Sequence, residues 1–197
     1  MLNRSILWLV AANLLPVVGV LFLDWHIFSL LFLFWCENVV IGAFGIARMV
    51  MSSDSGLRAN AFLALFFTVH YGGFMFGHLF FLTAMFLDDS SAGGSGNPFD
   101  HFFSLFDRWT ITALIALTLS HAWSFFENFV GKKEYASLTP KTAMSLPYKR
   151  MMITHVALIA GGFLLTRLDE PTVGLLMLLA MKVALDVVLH RREHDKL

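Results

Sequence analysis

Leu30-Leu31-Phe32-Leu33-Phe34-Trp35-Cys36-Glu37-Asn38-Val39-Val40-Ile41-Gly42 is apolar on every side of a helix except at Glu37 and Asn38. A run of this kind belongs in lipid, and a charge near the centre of a bilayer costs at least ~2.5–3.5 kcal/mol. Glu37 has company. His70, His78, His121, Glu127, His155, Lys182 and Asp186 also fall inside apolar segments. Intramembrane ionisable residues usually face a protein interior and act there. The sequence therefore describes a membrane protein with a polar interior.

Working outward, composition agrees. The 197 residues are 57% hydrophobic and 14% charged, with 21 phenylalanines and no net charge, and the mean hydropathy is +0.70. Apolar runs of about 20 residues without period-2 alternation are the helical spanning pattern, which excludes strands. A neutral chain has no global field to draw it to nucleic acid. Cys36 is the one cysteine, so an intrachain disulfide, a zinc ribbon and a haem-attachment pair are all excluded.

The expected fold is all-α: a single integral-membrane domain over 1–197, with six spans near 5–23, 27–50, 61–86, 109–130, 150–166 and 172–190. Met1-Leu2-Asn3-Arg4 and the apolar run after it imitate a signal peptide. They lack a small-x-small cleavage site and read as a retained span. With the N-terminus inside, Arg4, Arg48, Arg58, Lys132, Lys133, Lys141, Lys149, Arg150, Arg191, Arg192 and Lys196 are cytoplasmic, and only Arg108 and Arg167 lie outside. That asymmetry places both termini in the cytoplasm. Residues 88–98 read as a flexible acidic linker leading to a short interfacial helix over 99–106, and 131–147 as a basic solvated loop broken by Pro140 and Pro147.

Helical phase groups the polar residues. Thr118, His121, Ser124 and Asn128 make one stripe, with Glu127 rotated away from His121. Lys182, Asp186 and His190 share a face, and Lys182 with Asp186 can pair within the helix. His70 opens His70-Tyr71-Gly72-Gly73-Phe74, where Gly73 and Gly77 form a small-xxx-small step for close helix packing. Depth counts put most of the set in the cytoplasmic half, with His78 nearer the outside and His70 the expected neighbour of Glu37. Glu37-Asn38 before His70-x-Gly-Gly-Phe is echoed by Glu127-Asn128 before His155 and Gly161-Gly162-Phe163, an echo better read as coincidence than as duplication.

Imidazole with carboxylate is the donor set of zinc and iron sites. On that reading His70, His121, His155 and Asp186 are metal ligands, and Glu37 or Glu127 is a ligand or general base. A divalent metal, zinc or iron, is then the cofactor, and the substrate of a metal-dependent enzyme would be lipid-soluble. Haem is disfavoured because the paired histidines of a two-haem bundle are missing. The alternative is a proton-coupled carrier or small channel in which buried Glu, His and Asp titrate. Six short spans are few for a carrier, so that alternative favours a homo-oligomer in the lipid bilayer.

Trp35-Cys36-Glu37-Asn38 with Gly42, then His70-Tyr71-Gly72-Gly73-Phe74 and His78, then Lys182 to Asp186 and His190, resembles a family of bacterial integral membrane proteins of unknown function. The likeness rests on the W-x-E-N and H-Y-G-x-F elements. It implies a compact multi-span protein of the inner membrane whose hallmark residues are Glu37, Asn38, His70, His78, Asp186 and His190. It implies no activity.

Overall fold

The computed structural model describes residues 27–52, 56–86, 106 and 108–167. Among them the chain is helical and contains no strand. Helix α1 is Ile27–Met51, α2 is Leu57–Phe86, and α3 is Arg108–Ser124, which continues as a π-helix over Phe125–Gly131. A 3-10 turn over Glu134–Ala136 leads to α4, Pro140–Arg167. Among the described residues, three helices are long and apolar enough to cross a membrane: Phe28–Met51, Leu57–Thr83 and Arg108–Gly131. They overlap the expected spans at 27–50, 61–86 and 109–130, whereas the expected span at 150–166 lies within α4, which is not among the three. The expected spans at 5–23 and 172–190 lie outside the described residues, as does nearly all of the expected interfacial helix at 99–106.

The chain forms two compact units, one of Phe28–Tyr148 and one of Met1–Ile27 with Lys149–Leu197. In the first unit, contacts fix how the helices run. Trp35 meets Met75, Asn38 and Gly42 meet Tyr71, and Ser52 meets Asn60, so α1 and α2 are antiparallel. Phe32 meets Phe106, Glu37 meets His121, Phe44 meets Phe125, and Arg48 meets Phe125 and Phe129. Both series rise together, so α1 and α3 are parallel.

Burial follows from this arrangement. Residues 30–34 and 36–38 of α1 are all buried, whereas beyond Val39 burial narrows to Gly42, Gly45 and Met49. On α2 a single stripe is buried: Asn60, Ala64, Phe67, Tyr71, Met75, His78 and Leu82, spaced three or four apart. The opposite face of α2 exposes Phe62, Leu65, Phe76 and Phe80. Large apolar side chains turned outward are what a lipid-facing surface requires.

Helix backbones pack closely where the side chains between them are small, and apolar helices of this length depend on such packing. Gly42 and Gly45 provide it. A Cβ on Gly42 would lie 2.7 Å from Cε1 of Tyr71, and one on Gly45 would lie 2.7 Å from Cγ of Pro147.

The stretch expected as a solvated loop is shorter than the sequence reading has it, because α4 begins at Pro140. Thr139 caps the helix: its Oγ1 accepts the Thr142 amide hydrogen at 3.2 Å. Pro140 sits at the first helical position, where no amide hydrogen is needed. Pro147, expected to break the chain, lies inside α4 with its ring fully buried against Gly45.

At the other end of α1, the Ser52 hydroxyl donates to the Arg48 carbonyl at 2.7 Å. Asn60 Nδ2 donates to the Ser52 carbonyl at 2.6 Å, latching the start of α2 to the end of α1. Gly56 adopts φ +76° in the connection, a conformation glycine reaches without a steric penalty. Asn60 is 2% exposed. We expect Asn60→Ala to lower stability in detergent by about 1–2 kcal/mol, the cost of a buried carbonyl losing its donor. Thermal unfolding followed by circular dichroism measures it.

Candidate functional site: a buried carboxylate and imidazole

Glu37 lies near the middle of α1 and is 4% exposed. His121, on the parallel helix α3, brings Nε2 to 3.7 Å from Glu37 Oε1. That is ion-pair reach and slightly beyond a direct hydrogen bond, so a small rotamer change closes it. The two side chains are 6% and 22% exposed. The pair is enclosed at mid-span, where water is scarce and electrostatic interactions are strong.

Aromatic layers bound the pair along the helix axes. Towards the start of α1, Phe32 stacks on Trp35 at 5.8 Å and meets Phe106 edge-on at 5.2 Å. Towards its end, Phe44 meets Phe125 at 5.3 Å, and Phe125 meets Phe129 at 5.0 Å. The Arg48 guanidinium closes this second layer, 5.9 Å from each of the Phe125 and Phe129 ring centres. The π-helix places these rings, since its wider turn brings Phe125 and Phe129 inward and leaves Phe126 and Glu127 outward.

The residues beside Glu37 hold α1 to α2. Asn38 is buried, and its Nδ2 donates to the Phe34 carbonyl at 2.9 Å. Tyr71 donates its hydroxyl to the Asn38 carbonyl at 2.9 Å, across the surface that Gly42 leaves flat. Trp35 Nε1 donates to the Met75 carbonyl at 2.7 Å. These bonds fix the rotation of α1 and so aim Glu37 at α3.

The Family of unknown function (DUF6498) matches residues 1–197, the whole chain. The chain belongs to this family. No curated protein and no solved structure matches it. The roles of residues in this DUF6498 member therefore come from its own geometry.

That geometry sorts the sequence expectations. Glu37, Asn38 and Tyr71 sit together at the core of the α1–α2 contact, and His121 joins them from α3. His70 does not take the expected place beside Glu37. It is exposed, and its Nδ1 lies 2.6 Å from the Tyr148 hydroxyl. One helical position separates it from Tyr71, which turns its imidazole away from α1. His78 is buried on the same α2 stripe as Tyr71.

Glu127 is exposed and accepts a hydrogen bond from Trp123 Nε1 at 2.7 Å. The echo between Glu37 and Glu127 thus joins a buried residue to an exposed one. Asn128 links Ser124 and Lys132 on the expected polar stripe, with Thr118, His121, Ser124 and Asn128 all half-buried. His155 is half-buried on α4 within the other unit. Lys182, Asp186 and His190 lie outside the described residues. Among the described residues, no three His, Cys, Asp or Glu side chains gather as a metal would need.

Sequence reasoning missed Arg48, Tyr148 and Pro147 as parts of the interior. Arg48 reads as an ordinary loop cation at a span end. Tyr148 and Pro147 stand in a stretch whose basic residues and two prolines imitate a solvated loop.

Proposed function

We propose that this chain is a multi-pass protein of the bacterial inner membrane, with both termini cytoplasmic, that passes protons through Glu37 and His121. The basic residues on one side of every expected loop support the orientation. The observation that carries the reading is the 3.7 Å approach of His121 Nε2 to a carboxylate buried at mid-span. An imidazole beside a carboxylate is a donor–acceptor pair between which a proton can pass. A proton moving from the His121 imidazolium to Glu37 turns an ion pair into two neutral groups, with no change in net charge. The same pair can therefore be reset from either side of the membrane at little electrostatic cost, which suits a proton-coupled carrier or small channel. A homo-oligomer in the bilayer is the working unit of this reading, because the six short spans expected from the sequence are few for a carrier. The metal reading has weaker support: Glu37 and His121 supply two donors, and His70 is turned to Tyr148.

Proton entry into sealed vesicles tests the proposal. The purified protein is reconstituted with a trapped pH dye, and a potassium diffusion potential drives proton entry. We expect wild-type vesicles to acidify faster than protein-free ones, and Glu37→Gln to slow the excess rate by about tenfold or more, the loss typical of removing a positioned proton donor or acceptor. Wild-type vesicles no faster than empty ones, or equal to Glu37→Gln vesicles, would refute it.

A further inference from the structure

His70 stands at the centre of the Leu57–Thr83 span, in the middle of its apolar length, and it is exposed. Tyr148 reaches it from α4, with the phenol oxygen 2.6 Å from Nδ1. The imidazole stacks on Phe66 at 5.5 Å and lies 5.2 Å from Phe74. Both phenylalanines are about half exposed, at 50% and 48%, and Val69 beside them is 70% exposed. The result is a polar pair drawn from two helices and set in an aromatic surface at the depth where lipid offers no hydrogen bonds.

A phenol is protonated at physiological pH and can donate to Nδ1. With Nδ1 as acceptor, the imidazole proton is on Nε2, which has no hydrogen-bond partner among the described residues. An exposed N–H at that depth needs an acceptor, and phospholipid tails supply none. A membrane-dissolved molecule that carries such an acceptor fits this position. Flat aromatic walls select a flat ring, and a single N–H selects a carbonyl.

We propose that His70 and Tyr148 form a binding site for a membrane-soluble ring carbonyl compound of the quinone class, with the carbonyl on His70 Nε2 and the ring against Phe66 and Phe74. The site is separate from Glu37 and His121. Tyr71 lies between the two, its ring 5.6 Å from that of Tyr148 and its hydroxyl on the Asn38 carbonyl.

The test is binding of decylubiquinone to purified protein in detergent, followed by calorimetry. Wild type, His70→Leu, His70→Gln and Tyr148→Phe are compared, with decylbenzene as a ligand of similar tail that lacks the ring carbonyl. We expect saturable binding by wild type and none of decylbenzene. Loss of one hydrogen bond should weaken binding about tenfold in His70→Leu. His70→Gln keeps a donor and should recover part of the affinity, and its unchanged unfolding temperature guards against a folding defect. Absence of saturable wild-type binding, equal affinity in His70→Leu, or a change from oligomer to monomer in His70→Leu would each overturn the proposal, the last by showing that a second copy covers this face.

Discussion

Gly42→Ala is expected to be the most damaging single-methyl change in the described part of this protein. The added carbon would sit 2.7 Å from Cε1 and 3.2 Å from Cδ1 of Tyr71, closer than carbon atoms tolerate. The ring must move, and its hydroxyl then leaves the Asn38 carbonyl. Overpacking costs about 1–3 kcal/mol, and a lost interhelical hydrogen bond adds about 0.6–1.7 kcal/mol. Unfolding in detergent should register roughly 2–5 kcal/mol from these two sources together.

Two controls isolate the cause. Gly72, Gly73 and Gly77 have open space where a Cβ would go, so alanine at Gly72 should be neutral or mildly stabilising. On a Tyr71→Leu background the clash is gone, and Gly42→Ala should cost little. Equal losses with and without the Tyr71 ring would show that the close approach is not what Gly42 provides.

The second large effect concerns the buried pair. His121→Leu leaves the Glu37 carboxylate facing an apolar side chain at mid-span, and we expect a loss of about 2–3 kcal/mol. The effect stays below that of a fully buried ion pair because the His121 side chain is 22% exposed. Glu37→Gln preserves volume and polarity and should cost less, about 1 kcal/mol. The double variant should then be more stable than the sum of the two losses implies, with a coupling of about 0.5 kcal/mol or more. Additive losses would mean that the 3.7 Å approach carries no interaction. A double-mutant cycle measured by unfolding under one detergent condition decides this.

Three of the six expected spans were legible as long apolar helices, because crossing lipid would demand that length and polarity. The edges of α1, and of α3 taken with the π-helix that continues it, fall within a residue or two of the expected ones. Which polar residue faces which was less legible, because it depends on rotation and not on depth. Glu37 and His70 each read as deep, polar and cytoplasm-facing, yet Tyr71 turns α2 so that His70 looks outward. The partner, His121, was visible as a member of a polar stripe, but only the parallel packing of α1 and α3 gives it to Glu37. The start of α4 was hidden for another reason. Thr139-Pro140 looks like a turn until the Thr139 cap and the helix-compatible proline are taken together, and Pro147 is accommodated only because Gly45 lies across from it.

The parallel packing of α1 and α3 also sets an order of events during synthesis. Tyr71 leaves the ribosome soon after Glu37, whereas His121 comes only after the whole of α2 and the connection to α3. At about 5–20 residues per second, the ribosome supplies His121 roughly 4–17 seconds after Glu37. His121 follows Phe86, the last residue of α2, by 35 residues. The α1–α2 hairpin, latched by Asn60, is therefore complete for the last roughly 2–7 seconds of that interval while His121 is still to come. The stage at which Glu37 is made and His121 is not is thus early and brief, and it ends when α3 arrives.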